Sequence, residues 1–256
     1  MPAFYDRYLG PIQFAPWAAT MAGRVAAQGP MQILENACGT GIVTYAIRDA
    51  SPQSELVATD ISQDMLDFAA AKRPDAGIVW KQADAAALPF TEASFDSVVC
   101  QFGIMFVPDK DKAYTEARRV LRRGGAFLFT VWDSLDNNPL QRISAAAIAS
   151  LFPADPPTFM QRVPYGYNDM EAIVRALHKA GFARVAHERL SVRIRATAAD
   201  QAIGACHGGP LRNEIESRDP DGLARATRAV ARALEEKFGT GEFETTNQAF
   251  VITANC

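Results

Sequence analysis

The chain has 256 residues, 48% of them apolar, and a formal net charge of −3. That length suits one large α/β domain or two small ones, and the apolar fraction supplies a sizeable core. The slight acidity, without any block of like charge, argues against a nucleic-acid surface, and no apolar run approaches the roughly 20 residues of a membrane span. Cys38, Cys100, Cys206 and Cys256 are far apart, have no metal-ligand spacing and suit a reducing compartment. The opening MPAFYDRYLG lacks a basic stretch followed by an apolar one, so the expectation is a cytoplasmic protein with no metal and no membrane partner.

Strand-like and helix-like segments alternate from about residue 31 to 132. Met31–Glu35 reads as a strand running into a turn with two glycines, and Ile42–Asp49 as a helix stopped by Ser51-Pro52. Glu55–Thr59 is a second strand ending at Asp60; Asp64–Lys72 is a helix, with Asp64 as its cap and Pro74 closing it. Ile78–Lys81 and Phe95–Gln101 are the third and fourth strands, and Asp96 is expected to be a structural cap. Asp109 caps a helix whose Ala113, Ala117, Val120 and Leu121 share a face, Gly124-Gly125 ends it, and Ala126–Trp132 is the fifth strand. Such alternation predicts a parallel sheet with helices on both faces. Further on, Asn168-Asp169-Met170-Glu171 has capping-box spacing with Asn in the cap position, before a helix that stops at Gly181. Phe182–Arg195 reads as a strand, Leu223–Phe238 as a helix and Phe243–Thr253 as a last strand. Residues 134–166 and 197–241 break the alternation and read as insertions over one edge of the sheet.

The stretch ILENACGTGIVT, residues 33–44, sets an acid before a small-residue turn. In open parallel sheets ligands bind beyond the carboxyl ends of the strands, where strand order switches. Gly39 and Gly41 permit tight backbone geometry and close ligand approach. Asp60, nineteen residues past Gly41, can accept both hydroxyls of a ribose. Glu35 discriminates: a carboxylate beside the turn repels a pyrophosphate and attracts an ammonium group. The ligand therefore has a ribose and a positive end and lacks a pyrophosphate. The other reading of the two glycines is that they only shape a strand-to-helix turn. Cys38 and Cys100 read as small buried residues, since neither has an activating partner in sequence.

The segments ILENACGTG, ATDISQDML, KQADAAALPFTEASFDSVVCQFGIMFVPD and RVLRRGGAFLFTVW, in that order and spacing, resemble the successive motifs of class I, Rossmann-like, S-adenosylmethionine-dependent methyltransferases of the small-molecule type. The resemblance spans about 31–132 strongly, and 168–195 and 243–253 more weakly. It implies a doubly wound, mostly parallel seven-stranded α/β sheet with a mostly helical cap. The domain organisation it implies is a single domain over 1–256: an N-terminal helical lid (1–30), a cofactor-binding core (31–133), cap insertions (134–166 and 197–241) and the end of the core sheet (167–196 and 242–256). It implies S-adenosyl-L-methionine as cofactor, with S-adenosyl-L-homocysteine as product. By resemblance Asp60 is the ribose-binding acid, Ile61 and Met65 neighbour the adenine, and Asp84 with the Ala85 backbone reads its amino edge. Gln101 meets the methionine part through its backbone, Phe102 flanks it, Glu35 orients the amino group, and Tyr8 closes over the cofactor. One departure is plain: Ala37 stands where the family has the first glycine of its acid-x-Gly-x-Gly-x-Gly turn. The added methyl is mild if φ is negative there.

Methyl transfer from a sulfonium needs in-line positioning, exclusion of water and, for a hydroxyl or ammonium acceptor, proton removal. The acceptor walls are expected from the N-terminal segment and the insertions, which carry Tyr5, Phe14, Trp17, Trp132 and Tyr165 among their aromatics. His207, in the glycine-rich loop-like CHGGP, is the candidate base, its alternative being a solvated histidine; Arg212 is the candidate for an anionic acceptor. QFGIM after strand four is unlike the Asn-Pro-Pro-Tyr of enzymes that methylate amide or base nitrogens. The expectation is O- or N-methylation of a small molecule, in-line. A non-catalytic S-adenosylmethionine-binding protein and a nicotinamide-dependent oxidoreductase are the alternatives; the oligomeric state is open.

Overall fold

The computed structural model describes residues 2–256. In chain order the elements are α1 (Pro2–Phe4), a wide-turn π-helical segment (Tyr5–Phe14), α2 (Ala15–Ala26), β1 (Gln32–Asn36), α3 (Ile42–Ala50), β2 (Glu55–Asp60), α4 (Gln63–Lys72), β3 (Ile78–Gln82), β4 (Phe95–Gln101), α5 (Lys110–Val120) and β5 (Leu121–Trp132). There follow α6 (Pro139–Ala149), α7 (Phe159–Arg162), α8 (Met170–Lys179), β6 (Arg184–Thr197), α9 (Ala198–His207), α10 (Leu211–Arg218), α11 (Gly222–Phe238) and β7 (Glu242–Asn255), with single 3₁₀ turns at Ile104–Phe106 and Leu135–Asn137. No helix among the described residues is long and apolar enough to cross a membrane.

The strands form one seven-stranded sheet in the order β3-β2-β1-β4-β5-β7-β6. β1 pairs in parallel with β2 and β4, β2 with β3 and β4 with β5, while β7 runs antiparallel to β5. The sheet is thus mostly parallel, as the resemblance implies, and has an antiparallel edge. The chain divides into two compact units: residues 17–132, 168–190 and 249–256, and residues 1–16, 133–167 and 191–248.

In the unit built on residues 17–132, strand residues alternate between two covered faces. Ile33, Leu56, Val99, Ala126 and Leu128 pack with Ala18, Met21, Ala22 and Val25 of α2 and Val43 and Ile47 of α3. Leu66 of α4 joins Ala58 and Cys38 on this side. On the other face Tyr114 of α5 meets Phe127 and Phe129, and Phe127 stacks with Phe182. In the other unit α6, α9, α10 and α11 share a core of Leu140, Ile148, Ala202, Cys206, Leu211, Ile215, Val230 and Leu234, joined by Ile12. The insertions therefore have a core of their own.

Several local expectations are corrected. Gly124-Gly125 does not end α5, which gives way to strand at Leu121; the pair sits inside β5, where a Cβ on Gly125 would meet Asp96 O at 2.8 Å. Ser62, not Asp64, caps α4, accepting from Met65 N, and Asp169, not Asn168, caps α8, accepting from Ala172 N at 3.0 Å. In each case the residue one or two positions from the expected cap has the extended backbone that a cap needs. Asp96 is structural as expected: its carboxylate accepts from Met31 N and Gln32 N and pairs with Arg122.

The turn after β1 differs most from expectation. Ala37 has φ +53°, so its methyl stands in the left-handed region where glycine is normal. What accommodates it is Gly103: a Cβ there would lie 2.5 Å from the Ala37 Cβ and 2.8 Å from Cys100 Sγ. Gly103 itself has φ −100°, so its lack of a side chain serves space and not torsion. Gly103→Ala should therefore destabilise the fold by about 1–3 kcal/mol through overpacking. Ala37→Gly in the same chain should recover part of that loss. Denaturant unfolding of both single variants and the double variant checks this, and strictly additive effects would refute the pairing.

Candidate functional site

Strand order reverses between β1 and β4, the place where open α/β sheets bind ligands. Both strands end there in the same unusual way. Ala37 follows β1 with φ +53° and Phe102 follows β4 with φ +53°, and non-glycine residues held in this region cluster at functional sites. Phe102 is fixed by its N–H, which donates to Thr130 O at 3.2 Å and Thr130 Oγ1 at 3.0 Å. Its ring stacks on Trp132 with centroids 3.7 Å apart, and Trp17 meets both edge-on. Two aromatics that the sequence assigns to the acceptor wall, Trp17 and Trp132, and one that it assigns to the cofactor, Phe102, thus form one buried cluster.

Asp60 ends β2 and reaches across to the turn. Its Oδ2 accepts from Gly39 N at 2.8 Å and its Oδ1 from Ser62 N at 2.9 Å. Burial raises the Asp60 pKa, with the amides of Ser62, Gly39 and Ile61 opposing. Each carboxylate oxygen keeps a second lone pair for a further donor. Gly39 and Gly41 both have positive φ, +55° and +78°. Their uses differ: a Cβ on Gly41 would meet Ala69 Cβ at 3.1 Å, Trp80 at 3.1 Å and Tyr45 at 3.2 Å, so Gly41 serves close packing of the start of α3.

Glu35 is the most unusual group. It is buried at 1% exposure, and its Oε2 has no hydrogen-bond partner among the described residues. Burial pushes its pKa up to about 8; the Thr44 side chain opposes this and the Asp60 carboxylate adds to it. A buried carboxyl with one oxygen unpaired, beside a glycine turn, suits a cationic partner carrying N–H donors. Ile61 is 68% exposed, an apolar side chain open at the end of β2, and Met65 is half-buried on α4. Asp84 is exposed, and its carboxylate accepts from Ala86 N at 2.8 Å, in a tight turn that also contains Ala85. Gln101 is buried at the end of β4. Burial holds the thiols of Cys38 and Cys100 well above the ordinary range, Cys100 at about 12, so neither is a nucleophile at neutral pH.

The remaining expected residues belong to the other unit. Tyr5 stacks on Phe14 at 4.9 Å, Tyr8 lies against Phe4 and Arg7, and Tyr165 is buried. His207 is the last residue of α9, not part of a loop: Gly208 and Gly209 follow the helix. It shares a cavity of about 450 Å³ with Arg212, Phe4, Asn213 and Glu216. Arg212 is held by Glu216 at 2.8 Å. His207 Nε2 lies 3.0 Å from Thr227 Oγ1, and that hydroxyl is itself 2.8 Å from Leu223 O. The hydroxyl's one proton goes to the carbonyl, so it accepts from Nε2–H and leaves Nδ1 as the basic nitrogen. Burial and Arg212 lower the His207 pKa below its usual 6.5, with Glu216 opposing.

A family model described as a methyltransferase domain matches residues 34–129, from within β1 to within β5 and including both left-handed strand ends. A ubiquinone/menaquinone biosynthesis C-methyltransferase of Paracoccus denitrificans is 29% identical over 194 residues, which is 70% of this chain and 77% of that protein. This chain is a class I S-adenosylmethionine-dependent methyltransferase. Solved structures share its fold. One is a putative methyltransferase of Bacillus halodurans, with 20% identity and TM-score 0.59 over 93% of this chain and 97% of that one. Another is the Haemonchus contortus phosphoethanolamine N-methyltransferase 2 in complex with S-adenosyl-L-methionine, with 19% identity and TM-score 0.60 over 99% of this chain and 56% of that one. The cofactor of the methyltransferase is S-adenosyl-L-methionine.

The raised Glu35 pKa makes stability depend on pH. The folded carboxyl holds its proton up to about 8, whereas its ordinary value is 4.5. The ligand-free fold is thus most favoured below the ordinary value and loses stability as pH rises toward the folded one, by at most about 1.4 kcal/mol per pH unit. Glu35→Gln cannot ionise, so its melting temperature should exceed that of wild type by an amount growing from pH 5 to pH 8. Parallel melting curves across that window, without cofactor, test it; a constant difference would mean that the carboxyl is ionised throughout.

Proposed function

We propose that this methyltransferase transfers the methyl group of S-adenosylmethionine to a small-molecule acceptor, at oxygen or nitrogen. The observation that carries the cofactor side is the buried Glu35, its Oε2 unpaired, beside the Asp60-clamped turn. In this reading Glu35 takes the cofactor's ammonium group, and Asp60 holds the ribose hydroxyls with the lone pairs left over from Gly39 and Ser62. Gly39 admits the backbone close to the ligand beside Ala37 and Gly41. Ile61 and Met65 flank the adenine, Asp84 and Ala85 read its amino edge, and Gln101 and Phe102 bound the methionine portion. When bound, S-adenosylmethionine supplies an electrophilic methyl. The protein's tasks are then to align the acceptor and exclude water, for which the Trp17–Phe102–Trp132 cluster provides an apolar wall.

Tyr5, Phe14, Tyr165 and Arg212 are proposed for the acceptor side, and Tyr8 for closing over the cofactor. Where the acceptor carries a proton, His207 Nδ1 is the proposed base; its lowered pKa keeps it neutral at pH 7 and able to accept. The Paracoccus relative is a C-methyltransferase by name, so the acceptor atom needs a direct test. Turnover of S-adenosylmethionine labelled in its methyl carbon, with a cell metabolite extract, gives S-adenosylhomocysteine and a labelled product. The methyl resonance separates O-, N- and C-products. Absence of turnover with any extract, despite tight cofactor binding, would favour a binding protein.

Asp60→Ala should weaken S-adenosylmethionine binding by about 1.5–3 kcal/mol, on the order of 10- to 100-fold, as for a lost hydrogen bond to a charged group. Calorimetric titration measures this. Because the side chain also holds Gly39 N, Asp60→Asn is the sharper variant, since its amide oxygen can keep one backbone bond while the charge is lost. Unchanged affinity in both variants would remove Asp60 from the site.

A further inference from the structure

The insertion unit hides an unusual set of side chains. Gln141 on α6, Gln201 on α9 and Asn247 on β7 are all at most 2% exposed, and Gln13 of the wide-turn segment is 5% exposed. Gln201 Nε2 donates to Ser144 Oγ at 3.4 Å, one turn along α6 from Gln141. Asn247 Nδ2 donates to Gln13 Oε1 at 3.4 Å and Ile12 O at 3.5 Å. All three bonds are long. Both polar atoms of the Gln141 amide, Gln201 Oε1 and Asn247 Oδ1 have no partner among the described residues. Ile12, Leu140 and Ala202, the chain neighbours of Gln13, Gln141 and Gln201, lie in one buried cluster. Each orphaned amide group in an apolar surround costs about 1–3 kcal/mol, so several together are not a packing solution that stability alone would favour.

From these observations we propose that Gln141, Gln201, Asn247 and Gln13 are the polar recognition site for the acceptor, and that it takes a neutral group carrying both hydrogen-bond donors and acceptors. Three orphaned carbonyl oxygens call for donors such as a hydroxyl or an amide N–H, and the Gln141 NH₂ calls for an acceptor. These residues offer only amides and the Ser144 hydroxyl, and Arg212 is already paired with Glu216 at 2.8 Å, so a carboxylate or phosphate among them would be buried without a counter-charge. The wide-turn segment Tyr5–Phe14 closes the site, since it supplies Gln13. It is suited to withdraw: wide-turn geometry is rare over ten residues, and Pro11 within it has no N–H to give to its own helix. The inference rests on the methyltransferase reading for the identity of the ligand as acceptor, but not for the existence of the site.

The test uses the near-isosteric, apolar variants Gln141→Met and Gln201→Met, with salicylamide and its anionic counterpart salicylate as probes. Saturation-transfer NMR in the presence of S-adenosylmethionine reports binding. Salicylamide should bind wild type at least tenfold better than salicylate and should lose most of its signal in both variants. The variants should melt a few °C higher than wild type, because orphaned amides have been replaced. Variants that melt lower or do not fold, or a salicylamide signal that is absent in wild type or unmoved by the substitutions, would overturn the site and make the amides structural. Titration of S-adenosylmethionine into the same samples separates the two ideas: binding unchanged in the variants leaves the methyltransferase reading intact whatever the probes do, and failure to bind wild type defeats that reading alone.

Discussion

The carboxylate of Asp60 ties the end of β2 to the turn after β1. One oxygen holds Gly39 N and the other Ser62 N, so a single side chain fixes the turn and the entry to α4 together. That clamp is possible because β1 and β2 are parallel neighbours in register, Asn36 opposite Thr59, which brings both carboxyl ends to one edge of the sheet. Holding the turn in place exposes its backbone to a ligand and places Glu35 beneath it, away from water. The cost appears as the raised pKa of both carboxyls, caused first by burial and for Glu35 also by the Asp60 carboxylate, and a bound cation would relieve it.

A second constraint is steric. Ala37 and Phe102 both adopt left-handed backbone after the two strands that flank the switch point. For Ala37 the fold answers with Gly103, whose missing side chain makes room for the alanine methyl. For Phe102 it answers with two hydrogen bonds from the amide to Thr130 and with a face-to-face stack on Trp132. Strain of this kind persists only where the surroundings over-determine it. Here those surroundings come from β4, β5 and the following turn, which couples the shape of the site to the core of the sheet.

The sheet was legible in the sequence because its signals are local: short apolar runs, glycine turns and acids at strand ends. The same is true of Glu35, Asp60 and Gly39, whose chemistry follows from residue type at the end of a strand. What was not legible depends on torsion angles or on distant partners. The sign of φ at Ala37 cannot be read from an alanine, and the space for its methyl is made 66 positions away at Gly103. Gly124-Gly125 is a helix stop by local rules, but the closeness of Gly125 to Asp96 O places the pair within a strand. His207 sits in a glycine-rich stretch that reads as loop; the apolar spacing of Ala198, Ala202 and Cys206 carries α9 through to it. The buried amides of the insertions gave no signal, because Gln and Asn are surface residues by default.

Buried polar groups that lack partners are the link between stability and function in both units. A fold selected only to persist would fill these positions with apolar side chains, since replacing an unsatisfied polar group by an apolar one of similar shape is neutral or favourable. Glu35 and the amides Gln141, Gln201 and Asn247 depart from that rule, and they do so at different chemistries: an anion-forming group in one unit, neutral donors and acceptors in the other. A zwitterionic, ribose-bearing cofactor answers the first. An uncharged polar partner answers the second. The two kinds of orphan thus differ in charge, which is why one set is proposed for the cofactor and the other for a neutral acceptor group.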